Sequence, residues 1–308
     1  MATNIDALVY ASDGRAVLAP GSRLAAYVRS SGVQDGDLPE VAENLVTTLN
    51  GALIRCRSAR NDVVVVLPGH AENVSTADQM SNLVAGTQIV GIGFGANRPT
   101  FTWSAATATF LFDVANVRLL NCILEMAGDP ASSTALSVAA PITVSAAGCA
   151  IEDCLIRVGV DADQLATIGI TTTAAGDDLS LRRCHVFGAT TSEVTTAIRL
   201  VGADRLVIED CVVQCATSST TVGSVQFVTT ASTQIAVRRS TFINRKAASV
   251  HAVTGMAACT GVFDNCNFGI LDNATLAGLV TPGDLMGFRC RTVNLAGEEG
   301  AEATTQST

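Results

Sequence analysis

The chain reads as all-β, a right-handed parallel β-helix solenoid with an N-terminal capping α-helix, and three observations predict this. Six strings align without gaps: Leu119-Leu-Asn-Cys122-Ile-Leu124, Ile151-Glu-Asp-Cys154-Leu-Ile156, Leu181-Arg-Arg-Cys184-His-Val186, Ile208-Glu-Asp-Cys211-Val-Val213, Val237-Arg-Arg-Ser240-Thr-Phe242 and Phe263-Asp-Asn-Cys266-Asn-Phe268. Their Cys/Ser marker recurs after 32, 30, 27, 29 and 26 residues, the drifting period of successive solenoid coils. Between markers lie β-branched runs with no helical apolar face, and the Leu-x-x-Leu-x-Leu frame of leucine-rich repeats is missing, which leaves about three short strands per coil.

Residues 1–36 scatter apolar side chains among the breakers Pro20, Gly21, Gly32 and Gly36 and read as an irregular arm. Ile5, Leu8, Tyr10, Leu24 and Tyr27 find no repeat to pack into there. They either anchor the arm to another surface or cover the first coil. Residues 37–58 supply the cap. Asp37 caps, Pro39 suits the first turn, Glu40 completes a capping box, and Val41, Leu45, Leu49 and Ile54 make an apolar stripe. One amphipathic helix would plug the open end of the solenoid, whose bare edge would otherwise expose core and unpaired strands. Residues 59–295 form the β-helix, and the acidic stretch 296–308 has no apolar period and reads as a disordered tail.

Within each repeated string the two polar residues mark a corner, and the marker begins the next inward-facing strand. Stacking the coils therefore makes a buried structural file of Cys122, Cys154, Cys184, Cys211, Ser240 and Cys266. The second column runs Leu120, Glu152, Arg182, Glu209, Arg238, Asp264, and the third Asn121, Asp153, Arg183, Asp210, Arg239, Asn265. Acid alternates with base, which opposes a slip by one coil, although each exposed pair is worth only about 0–1 kcal/mol. Carboxylates paired in this way suit no general acid, so glycoside cleavage by Glu152, Asp153, Glu209 and Asp210 is disfavoured.

The composition narrows the function classes. The 308 residues are 48% hydrophobic but only 4% aromatic, which is little for a stacked nucleic-acid groove or a sugar cleft. A net charge of −9 repels phosphate, so neither nucleic acid nor an anionic membrane is an expected partner. Lys246 is the single lysine. The start lacks the n- and h-regions of a signal peptide, and ten cysteines then read as thiols kept in a reducing cytoplasm. No metal is expected, because paired Cys-x-x-Cys knuckles and a periodic Gly-Asp array are both missing. No cofactor is expected either, since Gly91-x-Gly93-x-Gly95 is followed by the strand-like Arg98-Pro99-Thr-Phe-Thr-Trp103 and not by a helix. His70 near Glu72 reads as a surface histidine at a capped turn, and His185 and His251 as strand residues of no special chemistry.

Two further strings carry a resemblance: Val63-Val-Val-Val-Leu-Pro-Gly-His-Ala-Glu-Asn-Val74 and Ile89-Val-Gly-Ile-Gly-Phe-Gly-Ala-Asn-Arg-Pro-Thr-Phe101. With the helix before them and the marked coils after, residues 38–295 resemble the pectate-lyase-like β-helix proteins of tailed bacteriophages. The resemblance implies a noncatalytic virion structural protein, a capsid decoration or cement protein. It would be made in the host cytoplasm, assembled as a homotrimer and placed on the capsid surface against the major capsid protein. Ile5, Leu8, Tyr10, Leu24 and Tyr27 are then the candidate capsid contacts. The alternative is a glycan-binding or glycan-cleaving β-helix of the tailspike type. The acid and arginine strings of pectate lyases proper and the Asn-Thr-Asp and Gly-His-Gly strings of polygalacturonases do not occur as such.

Overall fold

The computed structural model describes residues 22–32, 39–126, 135–189, 191–228, 230–246, 251–255, 258–270, 280–281, 284–294 and 299–302. They wind as a right-handed parallel β-helix in which a full coil lays one strand on each of three sheets. The first sheet includes Asp62–Val66, Gln88–Gly91, Arg118–Leu120, Ala150–Glu152, Ser180–Arg182, Val207–Glu209, Ile235–Arg238, Thr260–Asp264 and Asp284–Phe288. The second includes Ala71–Val74, Thr100–Trp103, Ile123–Met126, Leu155–Gly159, His185–Gly188, Val212–Thr217, Thr241–Asn244, Asn267–Ile270 and Arg291–Asn294. The third runs from Phe110–Phe112 through Ile142–Val144, Ile168–Thr172, Thr196–Leu200, Val225–Phe227 and Val253–Thr254 to Val280–Thr281. Alternate residues point inward, so Leu119, Ile151, Leu181, Ile208, Val237 and Phe263 line one wall of a continuous core.

The corner between the first and second sheets is a single left-handed residue: Asn121, Asp153, Arg183, Asp210, Arg239, Asn265 or Arg289. Its backbone N–H donates to a carbonyl of the next coil, as from Asp153 to Arg182 and from Asp210 to Arg238. That bond keeps the tight corner in step with the ladder. Asn121 adds side-chain donation to the Gly91 and Gly93 carbonyls, both at 2.9 Å. Here the glycine string finds its reason, because a Cβ on Gly91 would lie 2.4 Å from the Asn121 oxygen. Large rings fill the early coils, where Phe110 meets Phe101 and Trp103 edge-on, and the late coils, where Phe242, Phe263 and Phe268 cluster.

Three expectations are corrected at the ends. The cap is not one helix but α1 (Pro39–Asn44) and α2 (Leu49–Leu53), separated by the strand Leu45–Val46. The β-branched run Val46-Thr-Thr48 favours extended backbone, and Thr48 then caps α2 by accepting from the Gly51 N–H. Leu49, Ala52 and Leu53 close the core while Ile54, assigned to the stripe, is exposed. The expected arm already contains a coil strand, since Arg23–Val28 pairs in parallel with Asp62–Val66. At the other end Glu299–Glu302 pairs antiparallel with Arg291–Asn294, so these four residues of the expected tail belong to the second sheet.

Candidate functional site

Charged groups on the outer faces divide into those spent on one another and those left over. On the first sheet Leu120, Glu152, Arg182, Glu209, Arg238, Asp264 and Phe288 stack in register beside the corner column. Arg183 forks onto Asp153 at 2.7 and 2.8 Å and reaches Glu152, which Arg118 also holds. Arg239 forks onto Asp210 at 2.7 and 2.9 Å and reaches Glu209 at 2.7 Å. Arg289 grips Asp264, and Arg182 lies 3.6 Å from Glu209. The Arg239 hydrogen bond holds the Asp210 carboxyl below its ordinary range, which makes it a poor proton donor. Of the charged residues in the column, Arg238 alone has no side-chain partner among the described residues.

The inward file is buried along its length: Cys122, Cys154, Cys184, Cys211, Ser240 and Cys266. Cys290 continues it. The thiols donate to carbonyls of the preceding coil, Cys184 to Ile151 at 3.3 Å and Cys211 to Leu181 at 3.5 Å. Ser240 accepts from the Cys211 N–H at 3.1 Å.

The second sheet's outer face differs. Glu125, Arg157, Phe187 and Gln214 stand in register on four successive coils, with His185 beside Phe187 on its strand. The His185 and Phe187 rings lie 4.9 Å apart. Arg245 donates to the Gln214 side-chain oxygen at 3.0 Å, which turns the Gln214 amide nitrogen toward His185 Nε2 at 3.1 Å. Nε2 therefore accepts, and the ring proton sits on Nδ1. Burial, and secondarily the Arg245 charge, push the His185 pKa down, so the ring is neutral near pH 7. Arg157 Nε is buried with no hydrogen-bond partner, and Glu125 has none among the described residues. Val212 adds an exposed apolar patch one coil beyond His185. An aromatic ring, a neutral imidazole, an amide, a carboxylate and guanidinium groups thus face outward with hydrogen-bonding capacity to spare. Groups of these kinds can contact a polar, ring-bearing molecule through stacking and hydrogen bonds.

Of the proposed contacts, Ile5, Leu8 and Tyr10 lie outside the described residues. Leu24 and Tyr27 do not sit on a free arm. They pack against Val63, Val65, Val90 and Leu120 on the outer side of the first sheet, because their segment pairs as a strand. His70 is likewise corrected, from surface to interior. Its Nε2 lies 3.0 Å from Glu72 Oε2, the atom that accepts the Leu49 N–H at 2.7 Å, and the pair ties α2 to the first coils. Sequence reasoning missed Glu125, Arg157, Phe187, Gln214 and Arg245. The signal for the first four was the third residue after each marker, where the repeated frame was read one residue short; Arg245, two positions further on after Ser240, had none.

No protein-family model matches the chain, and neither does any curated protein. Among solved structures it is similar to a pectin methylesterase in complex with a hexasaccharide, at 9% identity over 92% of both chains with a TM-score of 0.44. It is similar to a pectin methylesterase of Erwinia chrysanthemi at 10% identity, again over 92% of both, with a TM-score of 0.43. A third is a tailspike protein of the Acinetobacter baumannii bacteriophage Fri1, a capsular polysaccharide depolymerase. It is 10% identical over 89% of this chain and 57% of that one, with a TM-score of 0.30. The expectation of a noncatalytic chain is corrected by the methylesterases, which are enzymes on coils of this kind. That expectation rested on missing motifs, and a scaffold of this type hosts chemistry on side chains that no fixed string announces.

Proposed function

We propose that the chain is a glycan-binding β-helix of the tailspike type, with the saccharide laid across the coils on the outer face of the second sheet. The observation that carries this is the outward row Glu125, Arg157, Phe187 and Gln214, with His185 held beside it by Gln214. Phe187 offers a ring to the C–H face of a sugar, while Gln214, His185 Nδ1–H and Arg157 address hydroxyl or carboxylate oxygens. Affinity electrophoresis against a panel of capsular and cell-wall polysaccharides tests it, with released reducing ends read in the same incubations. At least one polysaccharide should retard the chain, and Phe187→Ala should weaken that retardation at least tenfold. Retardation by none, or an unaffected Phe187→Ala, would reject the assignment.

A place on a bacteriophage virion is the second reading, favoured by the paired strings at 63–74 and 89–101. In it the chain sits on the capsid surface against the major capsid protein. Co-sedimentation with particles stripped of decoration proteins checks it, and a chain left in the supernatant would rule it out.

A further inference from the structure

The outer face of the first sheet carries a sign pattern that its own ion pairs do not exhaust. From Ala150–Glu152 to Thr260–Asp264 each coil presents two polar positions side by side: Glu152 with Asp153, Arg182 with Arg183, Glu209 with Asp210, Arg238 with Arg239, and Asp264 with Asn265; the next coil places the apolar Phe288 beside Arg289. Next to them runs a low strip of Ala150, Ser180, Val207, Ala236, Val262 and Met286 in register, with Met286 and Phe288 exposed. A groove of about 700 Å³ opens over Ala236, Val262, Arg238, Asp264 and Phe288.

We propose that this face joins two antiparallel copies of the chain about a two-fold axis. The axis runs parallel to the strands, between Val207–Glu209 and Ile235–Arg238. Such an axis reverses the order of coils and leaves each column facing itself. Arg238, the cation of the column without a side-chain partner among the described residues, then meets Glu209 of the partner subunit, and Asp210 meets the partner's Arg239. One coil further out Asp264 meets the partner's Arg182, and beyond that Arg289 meets the partner's Asp153. Along the low strip Val207 faces the partner's Ala236, Ser180 faces the partner's Val262, and Met286 lies over the partner's Ala150.

The sign pattern selects the reversed order of coils over the alternative orientation, and the ends of the stripe distinguish the registers. A two-fold axis along the solenoid would set every coil on itself, acid on acid and base on base, which is repulsive at each level. Moving the chosen axis one coil toward Ser180–Arg182 sets Leu120 against Asp264. Moving it one coil the other way leaves Arg182 and Arg183 without a partner strand. The central register sets opposite charges together at Glu209 and Arg238, Arg182 and Asp264, Asp210 and Arg239, and Asp153 and Arg289, leaves Glu152 facing the partner's Phe288, and covers the exposed Met286. The occupant is thus a second copy of this chain, and this surface is separate from the face assigned to glycan.

Light scattering and sedimentation equilibrium of the full chain test the proposal. A dimer that dissociates as salt rises is expected, because the contacts are exposed ion pairs. Arg238→Glu should raise the dissociation constant at least tenfold with an unchanged circular dichroism spectrum. Glu209→Arg alone should do the same, and mixing the two variants should restore dimers, since each altered position then meets an opposite charge. Should Glu209→Arg fail to fold, Met286→Glu takes its place and should also give monomers. A monomer at all concentrations, a trimer, or a dimer indifferent to Arg238→Glu would overturn the proposal.

Discussion

A thiol fits the inward file because it is small, apolar and able to make a weak donation, which Cys184, Cys211 and Cys290 direct at a carbonyl of the coil before and Cys122 at Leu120 of its own coil. The stacking interval also keeps the file chemically quiet. Neighbouring parallel strands lie roughly 4.8 Å apart, while a disulfide needs Cβ atoms within about 3.5–4.5 Å. Adjacent cysteines are thus close enough to touch and too far apart to bond without squeezing the ladder. Burial pushes the Cys154 thiol, and outside the file that of Cys215, up to about 12, so thiolate is scarce there at neutral pH; the hydrogen bond with Cys266 instead draws Cys290 down to about 7, and its burial alone shields it. The expected outcome is that an aromatic disulfide reagent finds ten thiols after denaturation, even from air-exposed protein, and almost none before it. Rapid native labelling of Cys154 or Cys211 would contradict the inward file. Most of this was legible in the sequence, since identical side chains in aligned strings imply a column. Cys290 was not, because its string opens with Gly287 where the other six open on an apolar residue.

Among the elements, the corner decides how the coil closes. An L-residue with positive φ costs about 1–2 kcal/mol, yet Arg183, Arg239 and Arg289 sit there without glycine's freedom. The left-handed corner aims each guanidinium at a carboxylate of the preceding coil, so the strain is offset by the forked ion pair. Replacing Arg239 separates the two effects. Arg239→Ala loses the pairs and keeps the strain, whereas Arg239→Gly loses the pairs and relieves it. Urea titration should therefore find the glycine variant more stable than the alanine variant by about 1 kcal/mol; equal midpoints would mean that the corner relaxes when the pair is gone. The alternation of charge was readable from the spacing alone, but the backbone conformation was not, because Asp and Arg at a corner do not announce a positive φ as glycine would. The cap failed for a related reason: Leu49 of the expected stripe is buried but Ile54 is exposed, and a stripe says nothing of a β-branched run that interrupts it.

Across the whole molecule, coils touch only their neighbours, and stability is close to a sum of coil terms. Acid should erode it in two stages. His185 has a folded pKa below its ordinary 6.5, so the unfolded chain takes up that proton first, and stability falls as pH drops below about 6.5. Asp178 and Asp210 are held below the ordinary 3.8 by arginine hydrogen bonds. Their contribution is present above that value and is lost as pH falls through the lower folded values. Thermal midpoints recorded from pH 8 to pH 3 should show both stages, and His185→Gln should remove the upper one alone. An unchanged upper stage would assign it to another group. The solenoid was legible because repetition is a global signal. The second-sheet row was hidden because there the repeat departs from itself: Glu125, Arg157, Phe187 and Gln214 share a column and no chemistry.

The strand Glu299–Glu302 has a consequence for polymerisation. Along the axis of the second sheet each new coil strand is laid parallel to the last, and a parallel edge can seed another without limit. The final strand runs the other way. An incoming copy would find the template reversed at that edge, so the same ladder that extends the molecule coil by coil does not, in this sheet, extend it into a fibre.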